Sequence, residues 1–404
     1  MLPAGSPTIS RVLKGDLCSG CGLCASLSGA AMRPVPPGYN RPGEAPAVSP
    51  ETEQTLAGSC PGSVVAPWQE APNTHPYWGP WHQILTGHAT DDAVRHRASS
   101  GGGITALAVH ALESGLVDRV MQIRADPDRP TRNIATISTT AAEIIEGSGS
   151  RYAASSPLEQ IDQALSSGGR IAFIGKPCDA SALRQFARFD ARVGEHVPLI
   201  LSFFCAGIPS ETGAQKIVKQ LGLEDAELSE FRYRGFGWPG LATAIAADGR
   251  SASMTYEESW GGHLSKEVQF RCKICPDAVG GVADIACADA WYGGETGYPT
   301  FEEVSGRSLI VTRTPAGEKL LASAVAAGAL VADPLDPKEI DLMQPSQARR
   351  KRLIRSRTMA VQACLQPVPK MDGLLVGEAA KRAGAKEELH NFAGTAKRVL
   401  TGNR

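Results

Sequence analysis

Between about residue 81 and residue 330, short apolar runs alternate with stretches of helical spacing. Ile104, Leu107, Ala108, Ala111 and Leu112 recur at helical intervals directly after Gly101-Gly102-Gly103, and 119–124 then has the composition of a strand. The pattern repeats. Residues 170–175 form a compact apolar run before a helix expected over about 179–189, and 198–204 precedes another near 211–220. Strand–helix alternation of this kind predicts an α/β domain. Residues 241–247, 283–288 and 308–312 are richer in strand formers, so a mixed sheet is expected.

The flanks differ. Eleven of the 28 prolines fall between Pro34 and Pro80, in a segment with no sustained period, which predicts an irregular connection and a boundary near residue 80. Beyond about Pro345, Arg349, Arg350, Lys351, Arg352, Arg355 and Arg357 crowd into nine positions. At helical spacing they make a basic surface, either solvated or packed against the acidic body, or else a site for an anionic partner.

Length and charge narrow the class. The 404 residues suffice for two or three domains, and 41 basic against 42 acidic side chains leave a net charge of −1, which gives no support to a nucleic-acid binder. No run approaches the 18 apolar residues of a membrane span, and the first 14 residues lack a secretory pattern, so a soluble, cytoplasmic protein is expected. Ten cysteines are too few for a disulfide scaffold, but they are grouped.

Cys18, Cys21 and Cys24 have the C-x2-C-x2-C spacing that lets one loop hold three corners of an iron–sulfur cube, and Cys60-Pro61 supplies the Cys-Pro that closes such a set. Ser28-Gly29 stands where a two-cluster ferredoxin has its next Cys-Pro, so one cluster is expected here. A zinc site, usually built from paired C-x2-C knuckles, fits this spacing poorly. A second soft group comprises Cys178 and Cys205, each just past an expected strand, with the Cys272/Cys275 pair. Cys287 and Cys364 are left as packing residues.

Ser99, Ser100, Gly101, Gly102 and Gly103 open the helix at Ile104, and amides at a helix amino end without Cβ atoms in the way suit a pyrophosphate. A plain glycine cap is the alternative. Neither the G-x-G-x-x-G fingerprint nor a P-loop is present. Residues 149–156 and 233–237 add cations, hydroxyls and aromatic faces beside glycines.

In order and spacing these motifs resemble the beta subunits of coenzyme F420 hydrogenase and dehydrogenase, a family that also includes 7-hydroxymethyl chlorophyll a reductase. The resemblance runs from about Asp16 to Thr314, through the Cys18–Cys60 set, Ser99–Gly102, Ser150–Tyr152, Gly175–Cys178, Phe204–Gly207, Cys272–Cys275 and Asp289-Ala-Trp291. It departs at Ala288, where family members more usually carry glycine.

The resemblance implies FAD and two 4Fe-4S clusters. It also implies a ferredoxin-like iron–sulfur module before a flavin-binding domain. With the bounds read from composition, the module and its proline-rich linker take residues 1–80 and a mixed-sheet α/β domain for flavin and the second cluster takes 81–330, while the proline-rich insert and a helical basic tail over 331–404 lie outside what the resemblance explains. Arg151 and Lys176 are the expected cations near the flavin. The expected function is an iron–sulfur flavoprotein oxidoreductase passing electrons between clusters and FAD, to or from an organic two-electron substrate. Ferredoxin or a partner redox subunit would be its one-electron carrier. The alternatives are a non-catalytic electron-transfer subunit of a larger complex and a zinc-stapled binding protein. Hydrogen activation is not implied, because no second C-x2-C pair remains for nickel once both clusters are assigned.

Overall fold

The computed structural model describes residues 5–44, 46–292 and 300–402. Its centre is an eight-stranded sheet. In spatial order the strands are Leu330–Pro334, Gln83–Ala89, Ser308–Thr312, Ile285–Asp289, Leu199–Phe203, Ile171–Ile174, Arg119–Ala125 and Asn133–Ser138. The strands from Ile285–Asp289 to Arg119–Ala125 pair in parallel, while the flanking ones are antiparallel. The expected mixed sheet is present.

Side-chain alternation along the parallel strands divides the core into two layers. Val120, Ala172, Leu199, Leu201 and Ile285 pack with Leu107, Ala111, Leu320 and Leu321 from the helices Gly103–Glu113 and Pro315–Ala326. Met121, Phe173 and Ile200 face the other way, onto Ile161, Leu165, Leu183 and Phe186 of the helices Ile161–Ser166 and Pro177–Phe186. Strands buried on both faces explain why their sequences are continuously apolar. A separate three-stranded antiparallel sheet, Leu228–Arg232, Ala242–Ala246 and Ser251–Met254, packs its own apolar face with the helix Glu211–Gln220.

Two expectations need correction. The proline-rich stretch is not irregular throughout: Pro50–Ser59 is a helix. Ser49 caps it by accepting from the Thr52 amide, Pro50 occupies its first position, where a missing N–H costs nothing, and Glu51 and Glu53 sit at its positive end. The boundary expected between residues 330 and 331 also falls inside the strand Leu330–Pro334, which pairs with Gln83–Ala89 and belongs to the central sheet. Only after it does the chain become helical, through Pro345–Arg352, Ile354–Ala363 and Ala385–Thr401.

Candidate functional site

Four parallel strands end at one edge of the sheet, where an open α/β fold places its ligand crevice. Lys176 and Cys178 follow Ile174, Cys205 follows Phe203, and Asp289 closes its own strand. The antiparallel neighbours bring two more segments to the same edge, because Asp289 pairs with Ser308 and Ser308 with Gly87. The 98–103 loop is drawn there too, its Gly101 carbonyl accepting from the Ala89 amide at 2.7 Å.

A cavity of about 280 Å³ opens at this edge. Ser99, Ser100, Gly102, Gly103, Arg151, Lys176 and Cys205 all line it. Gly101 lies behind the loop, where a Cβ would meet the Gly87 carbonyl oxygen at 2.6 Å and the Ser308 amide at 2.7 Å. Gly102, at φ +74°, is the amino-terminal cap of the helix Gly103–Glu113. Gly103 donates its amide to Ser308 Oγ, and the helical ladder begins with Ala106 N–H to Gly102. The intervening amides of Ile104 and Thr105 have no acceptor within the helix.

The two expected cations are held differently. Arg151 donates to Asn133 Oδ1 and to the carbonyls of Phe231, Pro130 and Arg132, so its guanidinium ties the 130–133 turn to the small sheet. Lys176 is buried at the cavity wall, with Nζ 2.7 Å from Asp179 Oδ2 and 2.7 Å from Ser155 Oγ. Burial opposes its charge, but Asp179 and Cys178 together carry its pKa upward.

The thiols form two groups. Burial raises Cys21 and Cys24, and in both cases neighbouring thiols of the set Cys18, Cys21, Cys24 and Cys60 raise them further. Burial pushes Cys60 up to about 11, with Cys18 adding to it and the amides of Gly62 and Ser63 opposing it. Gly22 permits the tight loop: its φ is +90°, and a Cβ there would lie 2.7 Å from the Glu159 amide nitrogen.

In the second group burial raises Cys178, Cys205 and Cys275. Cys178 is also raised by Cys205 and Cys275, and Cys205 by Cys272 and Cys275. Cys272 accepts from the Ile208 amide at 3.4 Å. Cys287 stands apart from both groups, raised to about 12 by burial alone. All ten cysteines are free thiols. Among the described residues no three His, Cys, Asp or Glu side chains form a group that could hold a single metal ion.

The groups lie back to back. Phe270 and Ile274, flanking Cys272, pack in one apolar cluster with Leu17, Cys18 and Cys60. Buried Arg271 donates to the Pro61 carbonyl at 3.0 Å, and its charge lowers both Cys60 and Cys275.

Residues 84–162 match the family model for the amino-terminal part of the coenzyme F420 hydrogenase/dehydrogenase beta subunit, and residues 168–338 match the model for its carboxy-terminal part. The chain belongs to this family. Coenzyme F420 hydrogenase subunit beta of Methanococcus voltae is 24% identical over 288 residues, 68% of this chain and 92% of the relative. The F420-dependent formate dehydrogenase subunit beta of Methanocaldococcus jannaschii is 27% identical over 231 residues, 55% of this chain and 57% of that one. A chain of the F420-reducing [NiFe] hydrogenase complex from Methanosarcina barkeri shares the fold, with a TM-score of 0.56 at 23% identity, covering 72% of this chain and 94% of that chain.

Membership in the coenzyme F420 hydrogenase/dehydrogenase beta subunit family makes this an oxidoreductase subunit. The family models span the cavity loop and the second thiol group, while the first thiol group and the tail lie outside residues 84–338. No helix among the described residues is long and apolar enough to cross a membrane.

Several cavity residues escape sequence reasoning. Gln122, Tyr256, Gln344 and Gln347 line it from distant elements and carry no local motif. At one end, buried Arg234 forks onto both Asp289 oxygens at 2.9 Å and lies over the Tyr256 and Trp291 rings, while Trp238 Nε1 donates to Asp289 at 2.7 Å. Asp289→Ala strands that guanidinium in the interior. A stability loss of about 3–5 kcal/mol is expected, measured as a lowered denaturation midpoint.

Proposed function

We propose that this chain is an iron–sulfur flavoprotein oxidoreductase. Cys18, Cys21, Cys24 and Cys60 would hold one 4Fe-4S cluster, Cys178, Cys205, Cys272 and Cys275 a second, and the cavity FAD. A flavin exchanges two electrons with an organic substrate and can pass them singly, whereas a four-iron cluster carries one at a time. The observation that carries the reading is the convergence on one cavity of a glycine-rich helix amino end and Cys205 of the second thiol group.

The residues fit these groups. The amides of Ile104 and Thr105 suit a diphosphate, and Gly102 and Gly103 beside them line the same cavity. Three thiols in one C-x2-C-x2-C run closed by the remote Cys60-Pro61 favour the cube over the paired C-x2-C knuckles of a zinc staple. Buried Arg271 acts on both Cys60 and Cys275, and Cys205 of the second group lines the cavity, which supports electron passage from the amino-terminal thiols toward the cavity.

Anaerobic purification with absorption spectra and iron, zinc and flavin quantitation tests the assignment; zinc without iron or flavin would overturn it. With reduced viologen or ferredoxin as donor, Cys275→Ala is expected to slow reduction of the bound flavin at least tenfold, followed as bleaching of the flavin band. An undiminished rate in a variant shown to lack that cluster would take the cluster off the path.

A second reading, a subunit that only wires a partner catalyst, is favoured by the Methanosarcina barkeri chain, which is part of a hydrogenase complex. Turnover of deazaflavin, nicotinamide or unsaturated ring substrates by the isolated chain separates the two.

A further inference from the structure

Nothing in the proposed function requires six basic residues within positions 349–357. The structure divides them. Arg349 and Arg352 reach outward to Glu387 at 2.8 and 3.2 Å, and Arg355 is exposed. The other three turn inward onto the loops that carry the second thiol group. Arg350 donates to the carbonyls of Cys205, at 2.9 Å, and Ala206. Lys351 donates to those of Pro276, at 2.5 Å, and Leu374, at 2.7 Å, and Arg357 donates to that of Lys273 at 2.9 Å.

Lys351 is the decisive residue. It is 5% exposed, its ammonium lies 4.0 Å from the centre of the Trp68 ring, and it has no carboxylate ion-pair partner among the described residues. Burial opposes its charge, and the groups that favour its ammonium form are Asp277 first and then the Cys275 sulfur. Asp277 already accepts from the amides of Val279 and Gly281. An ammonium buried against neutral carbonyls and an indole face is costly unless an anion compensates it. Asp277 supplies part of that compensation, and four thiolates gathered at Cys178, Cys205, Cys272 and Cys275 would supply the rest.

We propose that the helices Pro345–Arg352 and Ile354–Ala363, outside the family's matched residues, form a cationic cover for the second thiol group. Arg350, Lys351 and Arg357 offset the negative charge of the thiolates and of each electron taken up, and so raise the reduction potential at that site. The inference rests on the two-cluster reading. The step is a one-electron uptake from an external donor such as viologen, adding one negative charge beneath the cover.

The test is an anaerobic redox titration of the full-length holoprotein, following both clusters by electron paramagnetic resonance. In Lys351→Met the second cluster's reduction equilibrium is expected to fall about tenfold, which is about 59 mV for a one-electron couple. The amino-terminal cluster should stay unchanged, and Lys351→Arg should keep the wild-type value. If Lys351→Met does not accumulate with iron, Arg350→Ala replaces it. It should lower the same potential, while outward-facing Arg349→Ala should not. Full iron with potentials insensitive to both Lys351 and Arg350 overturns this inference alone. A wild-type chain without any four-iron signal overturns the cluster reading and this inference with it.

Discussion

Cys60→Ala is expected to halve the iron of the anaerobically purified protein, from about eight to about four atoms per chain, while the flavin stays bound. Cys18, Cys21 and Cys24 share one loop, but Cys60 arrives from the end of the helix Pro50–Ser59, where its amide donates to the Leu56 carbonyl at 2.9 Å. Alanine keeps that backbone bond and removes only the remote corner of the set. The thiol's upward shift to about 11 means that iron must displace a proton, so assembly at this site should weaken as pH falls. Cys364→Ala is the control: that thiol packs near Cys18 and Cys60, but its closest polar partner is the Ala396 carbonyl at 4.0 Å. Iron analysis of the two variants decides the matter, and full iron in Cys60→Ala would remove Cys60 from the ligand set.

Thr105→Asp should abolish flavin binding and leave both clusters in place. Thr105 lines the cavity in the first turn of the helix Gly103–Glu113, where a carboxylate is favoured by the helix dipole and the fold should tolerate it. The same carboxylate would then occupy the positive end that a diphosphate needs and would repel it. Substitution at Gly102 is less informative, because its Cβ would point at Ala89 and Val94, at 3.1 and 3.4 Å, and strain the loop. Flavin released on denaturation, measured by fluorescence against iron content, gives the answer. Stoichiometric flavin in Thr105→Asp would move the dinucleotide site elsewhere.

Much of this was legible locally. Helical spacing after Gly103 and the apolar runs at 170–175 and 198–204 appear in the structure as the helix Gly103–Glu113 and the strands Ile171–Ile174 and Leu199–Phe203, and 211–220 as the helix Glu211–Gln220. Each is specified by neighbours a few positions away, and so is the loop geometry of Cys18, Cys21 and Cys24, which the chain writes as spacing. The helix Pro50–Ser59 was not legible, because three small or polar residues in its last turn give it no apolar stripe, and its order comes from its cap and from Glu53 accepting from Ser6 and Thr8.

Only the tertiary structure decided which segments meet. The parallel order of the central strands sets Cys178, Cys205 and Asp289 at one edge, and antiparallel pairing through Ser308 brings the 98–103 loop to them. The tail shows the limit most clearly: its sequence fixes six positive charges, but which of them face water and which face the carbonyls of residues 205, 206, 273 and 276 depends on what the helices pack against. Spacing is a property of one segment, whereas burial and partnership belong to pairs of segments far apart in the chain, and sheet topology brings those pairs together.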